Sequence, residues 1–194
     1  MVLASLSHAI ESRDPYTRGH SDRVSSLAQV VARRLGWKSW RLGALRLGSL
    51  LHDVGKLNLD ASVLRKPGPL DQGEFDEIKR HPLAGARLIR GFEALRPALP
   101  YILFHHERWD GHGYPTGRAR EQIPSGARLL AVVDAFDAMI SDRPYRAPLS
   151  IGTALAELDE GAGTQFDRGV VRAFLSAWSD GELARHLPDE RLSA

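Results

Sequence analysis

The segment SGARLLAVVDAFDAMI, residues 125–140, predicts a long helix that lies in the interior of the protein. Ser125 is a residue type that caps helices, and the run from Leu129 to Ile140 is almost entirely apolar. Asp134 lies in the middle of that run. Because an ionised carboxylate is costly to bury alone, Asp134 needs a cation or strong hydrogen bonds. The segment therefore predicts a buried helix and a polar site on it.

Helical spacing of apolar residues recurs on both sides of this segment, and no stretch shows the sustained alternation of a strand. The sequence therefore predicts an all-α fold, a compact helical bundle with two loops, Leu64–Leu70 and the Gly/Pro-rich Trp109–Pro124. The predicted helices are Gly19–Leu35 ended by Gly36, Trp40–Leu51, Asp71–Lys79 opened by a capping box with Glu74, Pro82–Ile89, Ala98–His105, and two that open at Ser150 and Asp167.

The composition of the 194 residues is that of one ordinary globular domain, spanning 1–194, with 43% hydrophobic and 26% charged residues. There is no cysteine, which excludes disulfides and thiolate metal sites. No apolar run approaches the roughly 20 residues of a membrane span, and Met1 to Ile10 lack the features of a signal peptide. We therefore expect a cytoplasmic protein. Its net charge of +2 comes with arginines scattered along the chain, which is compatible with a nucleic-acid groove but does not indicate one. A small anionic substrate fits this charge equally well, and we expect no nucleic-acid partner.

Histidines and aspartates with metal-ligand chemistry stand at the predicted helix ends. His52 and Asp53 are adjacent, His105 and His106 are adjacent, and the remaining candidates are His20, His81 and Asp134. Each alone would more often be a helix-end or hydrogen-bonded core residue. Together, imidazoles and carboxylates suit divalent first-row metals. Seven ligands are too many for one tetrahedral zinc but enough for two six-coordinate ions, and two ions about 3.5–4 Å apart can promote phosphoryl transfer.

Two signatures resemble a known family. His52-Asp53-Val54-Gly55-Lys56 resembles the HD-x-GK signature of the HD phosphohydrolase superfamily, and residues 105–115, HHERWDGHGYP, resemble the HHE-xx-DG-x-GYP signature of its HD-GYP subfamily. Residues 14–24 and 141–146 are similar to the opening and closing stretches of that subfamily. The resemblance covers about residues 11–175, and the eleven-residue signature is far more specific than the His-Asp pair.

The resemblance implies a fold and an activity: an HD-type helical domain that hydrolyses cyclic di-GMP to linear pGpG, in some members onward to GMP, through a metal-bridging hydroxide. It implies two divalent ions, commonly iron or manganese, although nickel and zinc accept the same ligand type. Asp53 would bridge the ions. His81, His105 and His106 would bind one of them, and His52, Asp134 and His20 the other.

One position departs from the family pattern. Some members add a third metal through a glutamate one turn before the position of His20, where this chain has Tyr16. Tyrosine is a poor ligand, so the sequence predicts two metals and places hydrolysis as far as GMP in doubt.

Several residues around the predicted ligands are candidates for substrate contact. Lys56 can reach the reacting phosphate as a point charge, while Arg143 and Arg146 suit the second phosphate. Asp137, one turn from Asp134, either orients a ligand histidine or touches substrate. Without the resemblance, the lysine and both arginines would be interpreted as solvated surface residues.

The resemblance also gives the glycine-rich loop a function. Gly113, Tyr114 and Pro115 would shape the substrate entrance and a partner-binding surface, with a structural turn as the alternative. A diguanylate cyclase or another bacterial signalling protein would be the partner at that surface, and a homodimer is compatible with the family.

Three alternative functions remain open at this point. The first is an HD hydrolase that cleaves another cyclic dinucleotide or phosphate ester, although the GYP loop argues against a plain nucleotide hydrolase. A non-catalytic cyclic di-GMP binding module would be free to lose ligands, and the ligand set here is intact. A purely structural helical domain leaves Asp134 and the paired histidines without a physical reason.

Overall fold

The computed structural model describes residues 19–142, 147–188 and 191, and within them it contains helices and no strand. The predicted all-α fold is confirmed. The α-helices are α1 His20–Arg34, α2 Ser39–Leu51, α3 Ala61–Leu64, α4 Gln72–Ile78, α5 His81–Ile89, α6 Leu99–Phe104, α7 Ser125–Met139, α8 Ile151–Glu160 and α9 Arg168–Ser179. Short 3₁₀ helices lie at Val54–Asn58, Glu93–Ala98, Arg120–Gln122 and Ala184–His186.

Helix α7 is the central helix of the bundle, as its apolar run predicts. It packs against α1, α6, α8 and α9. Leu129, Val133 and Phe136 are fully buried, and the Phe136 ring centroid lies 4.8 Å from that of Phe174 on α9. A helix surrounded in this way stabilises the fold through removal of apolar area from water.

A second, smaller core lies between α2, the Val54–Asn58 turn, α5 and α6. Its buried members are Leu50, Leu51, Val54, Ile89, Ala98 and Ile102. The polar site described below lies where the ends of these helices meet α1 and α7, so the two cores fix the positions of its ligands.

Most predicted helix ends are confirmed. Asp71 and Glu74 form the capping box of α4, the Ser150 side chain caps α8, and that of Asp167 caps α9. Gly36 follows α1 with a φ of 75°, a left-handed conformation that glycine adopts without strain.

The predicted cap of α7 was wrong. Ser125 is the first helical residue, and the preceding Pro124 occupies the N-cap position without a side-chain cap. The Ser125 hydroxyl instead accepts a hydrogen bond of 2.7 Å from Arg41 Nη2. A tertiary contact therefore outweighed the local capping preference.

The apolar pattern did not predict two short elements. Lys56 lies in the Val54–Asn58 3₁₀ helix rather than in a loop, and Ala61–Leu64 forms one helical turn capped by Asp60. Neither is long enough to show a repeating pattern. Among the described residues, no helix has both the length and the apolar character needed to cross a membrane.

Candidate metal centre

All seven predicted ligands lie close together, and five of them, His20, Asp53, His81, His106 and Asp134, line one cavity. Each is delivered by a helix end except Asp134, which lies within α7. His20 opens α1, His52 and Asp53 follow α2, His81 opens α5, His105 and His106 follow α6. Their donor atoms form two groups, within each of which the atoms lie no more than 4.8 Å apart. The groups are His81 with His105 and His106, and His20 with His52 and Asp134. This is the grouping that the resemblance implied.

The first group consists of neutral imidazoles whose free nitrogens face one another. Nδ1 of His81 lies 2.8 Å from the Ile78 carbonyl and that of His105 lies 2.9 Å from the Ile102 carbonyl. Because a carbonyl only accepts, each Nδ1 carries the proton and each Nε2 holds a lone pair. The two Nε2 atoms are 3.2 Å apart. Two lone pairs at this distance repel each other, and a metal ion between them would attract both.

Burial keeps these three histidines unprotonated. It lowers the pKa of His81 to about 4 and that of His106 to about 3, and it places the pKa of His105 well below its ordinary value. Neighbouring imidazoles and Lys56 add to the effect on His81. Neutral imidazole is the form that binds metals, so the group is ready to coordinate at neutral pH.

The second group contains two imidazoles and one carboxylate, His20, His52 and Asp134, whereas the first contains three imidazoles. Nδ1 of His52 lies 2.7 Å from the Ser49 carbonyl, so its Nε2 again holds a lone pair, at 3.3 Å from Nε2 of His20. His20 Nε2 also lies 3.2 Å from Asp134 Oδ1. Burial alone would lower the pKa of His20, but hydrogen bonds to Asp134 and Asp137 outweigh it and raise the pKa to about 9. His20 therefore carries a proton on Nε2, at the place where a metal cation would bind.

Asp53 connects the two groups. Its Oδ1 lies 3.3 Å from His81 Nε2, and its Oδ2 lies 3.6 Å from His52 Nε2. Burial alone would raise the pKa of Asp53, but the charge of Lys56 and the nearby histidines hold it well below the ordinary value. An ionised carboxylate with one oxygen toward each group has the geometry of a bridging ligand.

The donor set fits divalent cations. Facing lone pairs and ionised carboxylates among largely buried side chains are unfavourable unless positive charge lies among them. Five imidazole nitrogens and two carboxylates are the mixed shell that first-row metals accept. The residues present therefore agree with the implied metals.

A buried ion pair holds His20 in place. Asp137 Oδ2 accepts from His20 Nδ1 at 2.7 Å, and Arg23 donates Nε to Oδ1 at 2.7 Å and Nη2 to Oδ2 at 2.9 Å. The Asp137 side chain is fully buried. Of the two predicted roles, these contacts match orientation of a ligand histidine, and burial leaves no surface for substrate. Sequence reasoning missed Arg23, although its spacing of three from His20 places both on one helix face.

The GYP loop packs directly on the ligand segment. The Tyr114 ring stacks on His106 with centroids 4.8 Å apart, and the Tyr114 amide donates to the His106 carbonyl. A Cβ on Gly113 would overlap the backbone of residues 106–108, so only glycine allows this approach. Burial, with Asp53 and Asp134 nearby, raises the pKa of Tyr114 above its ordinary value, so the phenol stays protonated.

Glu107 connects the same loop to the ligand segment, a role that sequence reasoning did not assign. Its Oε1 accepts from the Thr116 amide at 2.7 Å and from the Thr116 hydroxyl at 2.6 Å. The residue is 3% exposed, and its Oε2 has no hydrogen-bond partner among the described residues. Its place inside the HHE signature was the available signal.

A cavity of about 250 Å³ opens onto the centre. Lys56 lines it and forms an ion pair of 2.7 Å with Asp53 Oδ2. The other polar lining residues are His20, Asp53, His81, His106, Asp134, Tyr114 and Lys66. Arg143, Arg146 and Tyr16 lie outside the described residues, so the predictions for them stay predictions.

Comparisons with known proteins agree with the site. A family model described as "HD domain" matches residues 4–170. The chain is 41% identical over 176 residues to the cyclic di-GMP phosphodiesterase response regulator RpfG of Xanthomonas campestris pv. campestris, covering 90% of this chain and 47% of that protein. It is 36% identical over 176 residues to a cyclic di-GMP phosphodiesterase of Thermotoga maritima, covering 90% and 48%. The chain thus spans about half the length of these relatives.

The fold also agrees with a solved structure. A crystal structure of a cyclic GMP-AMP specific phosphodiesterase of V. cholerae, V-cGAP3, superposes with a TM-score of 0.58 at 30% identity, over 98% of this chain and 42% of that one. The match to the HD domain family model, residues 4–170, includes all seven predicted ligand positions. The chain belongs to the HD domain family, as its His-Asp and GYP signatures predict.

Proposed function

We propose that this chain is a metal-dependent phosphodiesterase that hydrolyses cyclic di-GMP to linear pGpG. The observation that carries the proposal is Asp53, whose two carboxylate oxygens face two separate ligand groups. Relatives named as cyclic di-GMP phosphodiesterases support the substrate. A structural domain would have no need for such a concentration of buried histidines.

The proposed centre holds two divalent ions, with iron or manganese favoured and nickel or zinc as alternatives. When bound, the pair would lower the pKa of water and neutralise charge on a phosphoryl oxygen. His81, His105 and His106 would hold one ion, His20, His52 and Asp134 the other, and Asp53 both.

Two side chains in the cavity would act on the phosphate. Lys56 brings its ammonium to the cavity beside Asp53, where it attracts the anionic diester. Tyr114 presents a phenol that stays protonated and can donate a hydrogen bond. Arg143 and Arg146 are proposed to hold the second phosphate, and Tyr16 in place of a third-metal ligand favours pGpG as the product.

The remaining proposals concern the partners of the protein and its location in the cell. The GYP loop, Gly113 to Pro115, would be the docking surface for a diguanylate cyclase or another signalling protein, and a homodimer is compatible with that arrangement. The place of action would be the cytoplasm.

The activity is tested by anaerobic purification, elemental analysis and chromatography of the products formed from cyclic di-GMP. We expect about two transition-metal ions per chain, as in two-metal sites, and pGpG as the main product. Protein with full metal content that binds cyclic di-GMP without product would instead support a binding module.

Asp53→Ala tests the bridging role. We expect it to abolish both metal retention and hydrolysis, because the variant removes the only carboxylate that faces both described ligand groups. Asp159→Ala on α8, which removes an exposed acid outside the cavity, is the control. Hydrolysis by Asp53→Ala at the wild-type rate would refute the assigned centre.

A second candidate substrate is cyclic GMP-AMP. It is favoured by the match to V-cGAP3, whose name states that specificity. Comparing kcat/KM for the two cyclic dinucleotides with the same metal-loaded protein separates the candidates. A larger value for cyclic GMP-AMP would change the substrate but not the proposed reaction.

A further inference from the structure

One wall of the catalytic cavity comes from a segment that holds no metal ligand. This segment, here called the arm, comprises residues 61–78, that is α3, the connection after it, and α4. It contributes Lys66 and Phe75 to the cavity lining, together with four half-buried aliphatic residues, Val63, Leu64, Leu70 and Ile78. The arm therefore faces the metal centre with an apolar surface and one cation.

The helices of the arm have no buried core of their own. Neither α3 nor α4 contains a buried residue. The order of the arm comes from polar contacts: Lys66 Nζ donates to the two Glu74 oxygens at 2.8 and 2.6 Å, and the amide of Asp60, the residue before the arm, donates to Glu77 at 3.0 Å. Its apolar side chains would gain burial when a ligand fills the cavity.

Phe75 is the unusual member of the wall. It is 42% exposed, and of the exposed large hydrophobic residues in the described part of the chain it alone lines this cavity. Lys79 Nζ lies 4.4 Å from the centroid of its ring, and the exposed part of the residue is available to a planar group in the cavity. An ordinary helix-surface pair of Phe75 and Lys79 would explain their contact but not the place of the ring at a catalytic entrance.

Lys66 lines the same cavity as this ring and is ion-paired with Glu74. An ammonium has three donors, of which Glu74 takes two. The carboxylate fixes the lysine in the cavity and leaves one donor for a phosphate. The cavity of about 250 Å³ lies below the roughly 300–1,000 Å³ usual for sites that enclose a ligand, so it suits part of a dinucleotide.

We propose that Phe75 is the base-stacking surface of the active site and Lys66 its neighbouring phosphate contact. In this arrangement the arm recognises a purine nucleotide while the metal centre holds the diester to be cut. The inference rests on the proposed function and adds to it the residues that recognise the nucleotide. An aromatic ring next to a cation is the combination that binds bases along a phosphate backbone.

Steady-state kinetics of the metal-loaded chain with cyclic di-GMP test the ring. Phe75→Leu keeps an apolar side chain but removes the π face, and we expect KM to rise by about 5- to 150-fold because a stacked base contributes roughly 1–3 kcal/mol. Phe75→Tyr keeps the ring and should retain a KM near the wild-type value. Phe92→Leu, a change at a 62% exposed phenylalanine outside the cavity, is the matched control.

The outcomes for Phe75 separate stacking from simple packing. The proposal is overturned if Phe75→Leu keeps the wild-type KM, if Phe75→Tyr raises KM as much as leucine does, or if Phe75→Leu loses its metal. If the wild-type chain hydrolyses no cyclic dinucleotide, the proposed function itself fails. If it hydrolyses them and the Phe75 variants behave as the wild type, only this inference fails.

Lys66 is tested with Lys66→Met, which keeps the apolar stem. We expect a higher KM and a weaker dependence of KM on salt, because one screened charge contact to phosphate is lost. The double variant Lys66→Met with Glu74→Gln should keep the defect, whereas recovery of the wild-type KM would show that an unmasked Glu74 caused it. Lys38→Met, at an exposed lysine outside the cavity, is the control.

Discussion

At the scale of single residues, the predicted ligand histidines are held in orientation by hydrogen-bond partners that are not ligands themselves. Each of His52, His81 and His105 donates Nδ1–H to a backbone carbonyl three residues earlier. His20 instead donates to Asp137, a carboxylate that Arg23 also holds. Such partners fix the ring orientation and the tautomer, and they commonly influence metal affinity.

Asp137→Asn tests this support. The amide keeps the shape but loses the charge that binds both His20 and Arg23, so we expect metal affinity to fall by about 10- to 100-fold. Metal titration of the apo-protein measures the effect, and excess metal should restore part of the activity. Asp159→Asn, at an exposed acid of α8, should have wild-type affinity. Unchanged affinity in Asp137→Asn would show that His20 needs no such partner.

Thr116→Val tests the link between Glu107 and the GYP loop. Removing the hydroxyl deprives a buried carboxylate of one of its two hydrogen bonds, so we expect a loss of about 1–3 kcal/mol in the free energy of unfolding. Thr164→Val removes an exposed hydroxyl bond to the Gly161 carbonyl and should cost less. Denaturant titration compares the two. Equal losses would contradict the special role of the buried carboxylate.

At the scale of secondary-structure elements, the distance between Asp53 and His81 depends on how closely the Val54–Asn58 3₁₀ helix approaches α5. Gly55 allows this approach, because a Cβ there would overlap the His81 carbonyl and the Gly85 amide. The His-Asp signature therefore includes a packing requirement as well as ligands. The glycine brings the Asp53 carboxylate to the start of the helix that carries His81.

Gly55→Ala should separate these two elements. We expect a loss of about 1–3 kcal/mol in unfolding free energy, as for other overpacked positions, and weaker metal binding because Asp53 moves away from His81. Gly43→Ala on α2 is the matched control, since a Cβ there meets nothing within 4 Å, and it should stabilise the helix by about 0.5–1 kcal/mol. Thermal unfolding and metal titration follow both. Wild-type metal affinity in Gly55→Ala would contradict the packing requirement.

At the scale of the whole molecule, the ligands come from five helices and the segments that follow them, and the two cores hold these helices together. Unfolding separates all seven donors, so a metal held at the proposed centre would bind the folded chain far better than the unfolded one. Folding and metal binding would then be coupled.

Chelation should thus lower the melting temperature. At a metal concentration of 100 times Kd the stabilisation is about 2.7 kcal/mol, which for a chain of this size corresponds to roughly 5–11 °C. Calorimetry of the apo-protein with and without added metal measures the shift. Asp53→Ala should show little of it, and an equal shift in that variant would mean that the metal binds elsewhere.

The sequence by itself determined the helical class and the buried α7, and it singled out seven candidate ligands. Periodicity is a local property, and the His-Asp and GYP signatures place ligands at adjacent positions, so both can be read without a structure. The structure brought these ligands into the two predicted groups. The number and identity of the metals stay predictions.

Only the tertiary structure decided which side chains surround those ligands. Arg23 and Asp137 are 114 positions apart, and Ser125 meets Arg41 rather than capping its own helix. The apolar side of the arm became part of the cavity wall although its pattern resembles that of any short amphipathic segment. The physical reason is the same in each case. Helix packing decides which partner a polar or exposed group meets, and the energy of that contact depends on how deeply the pair is buried. A local sequence pattern contains neither piece of information.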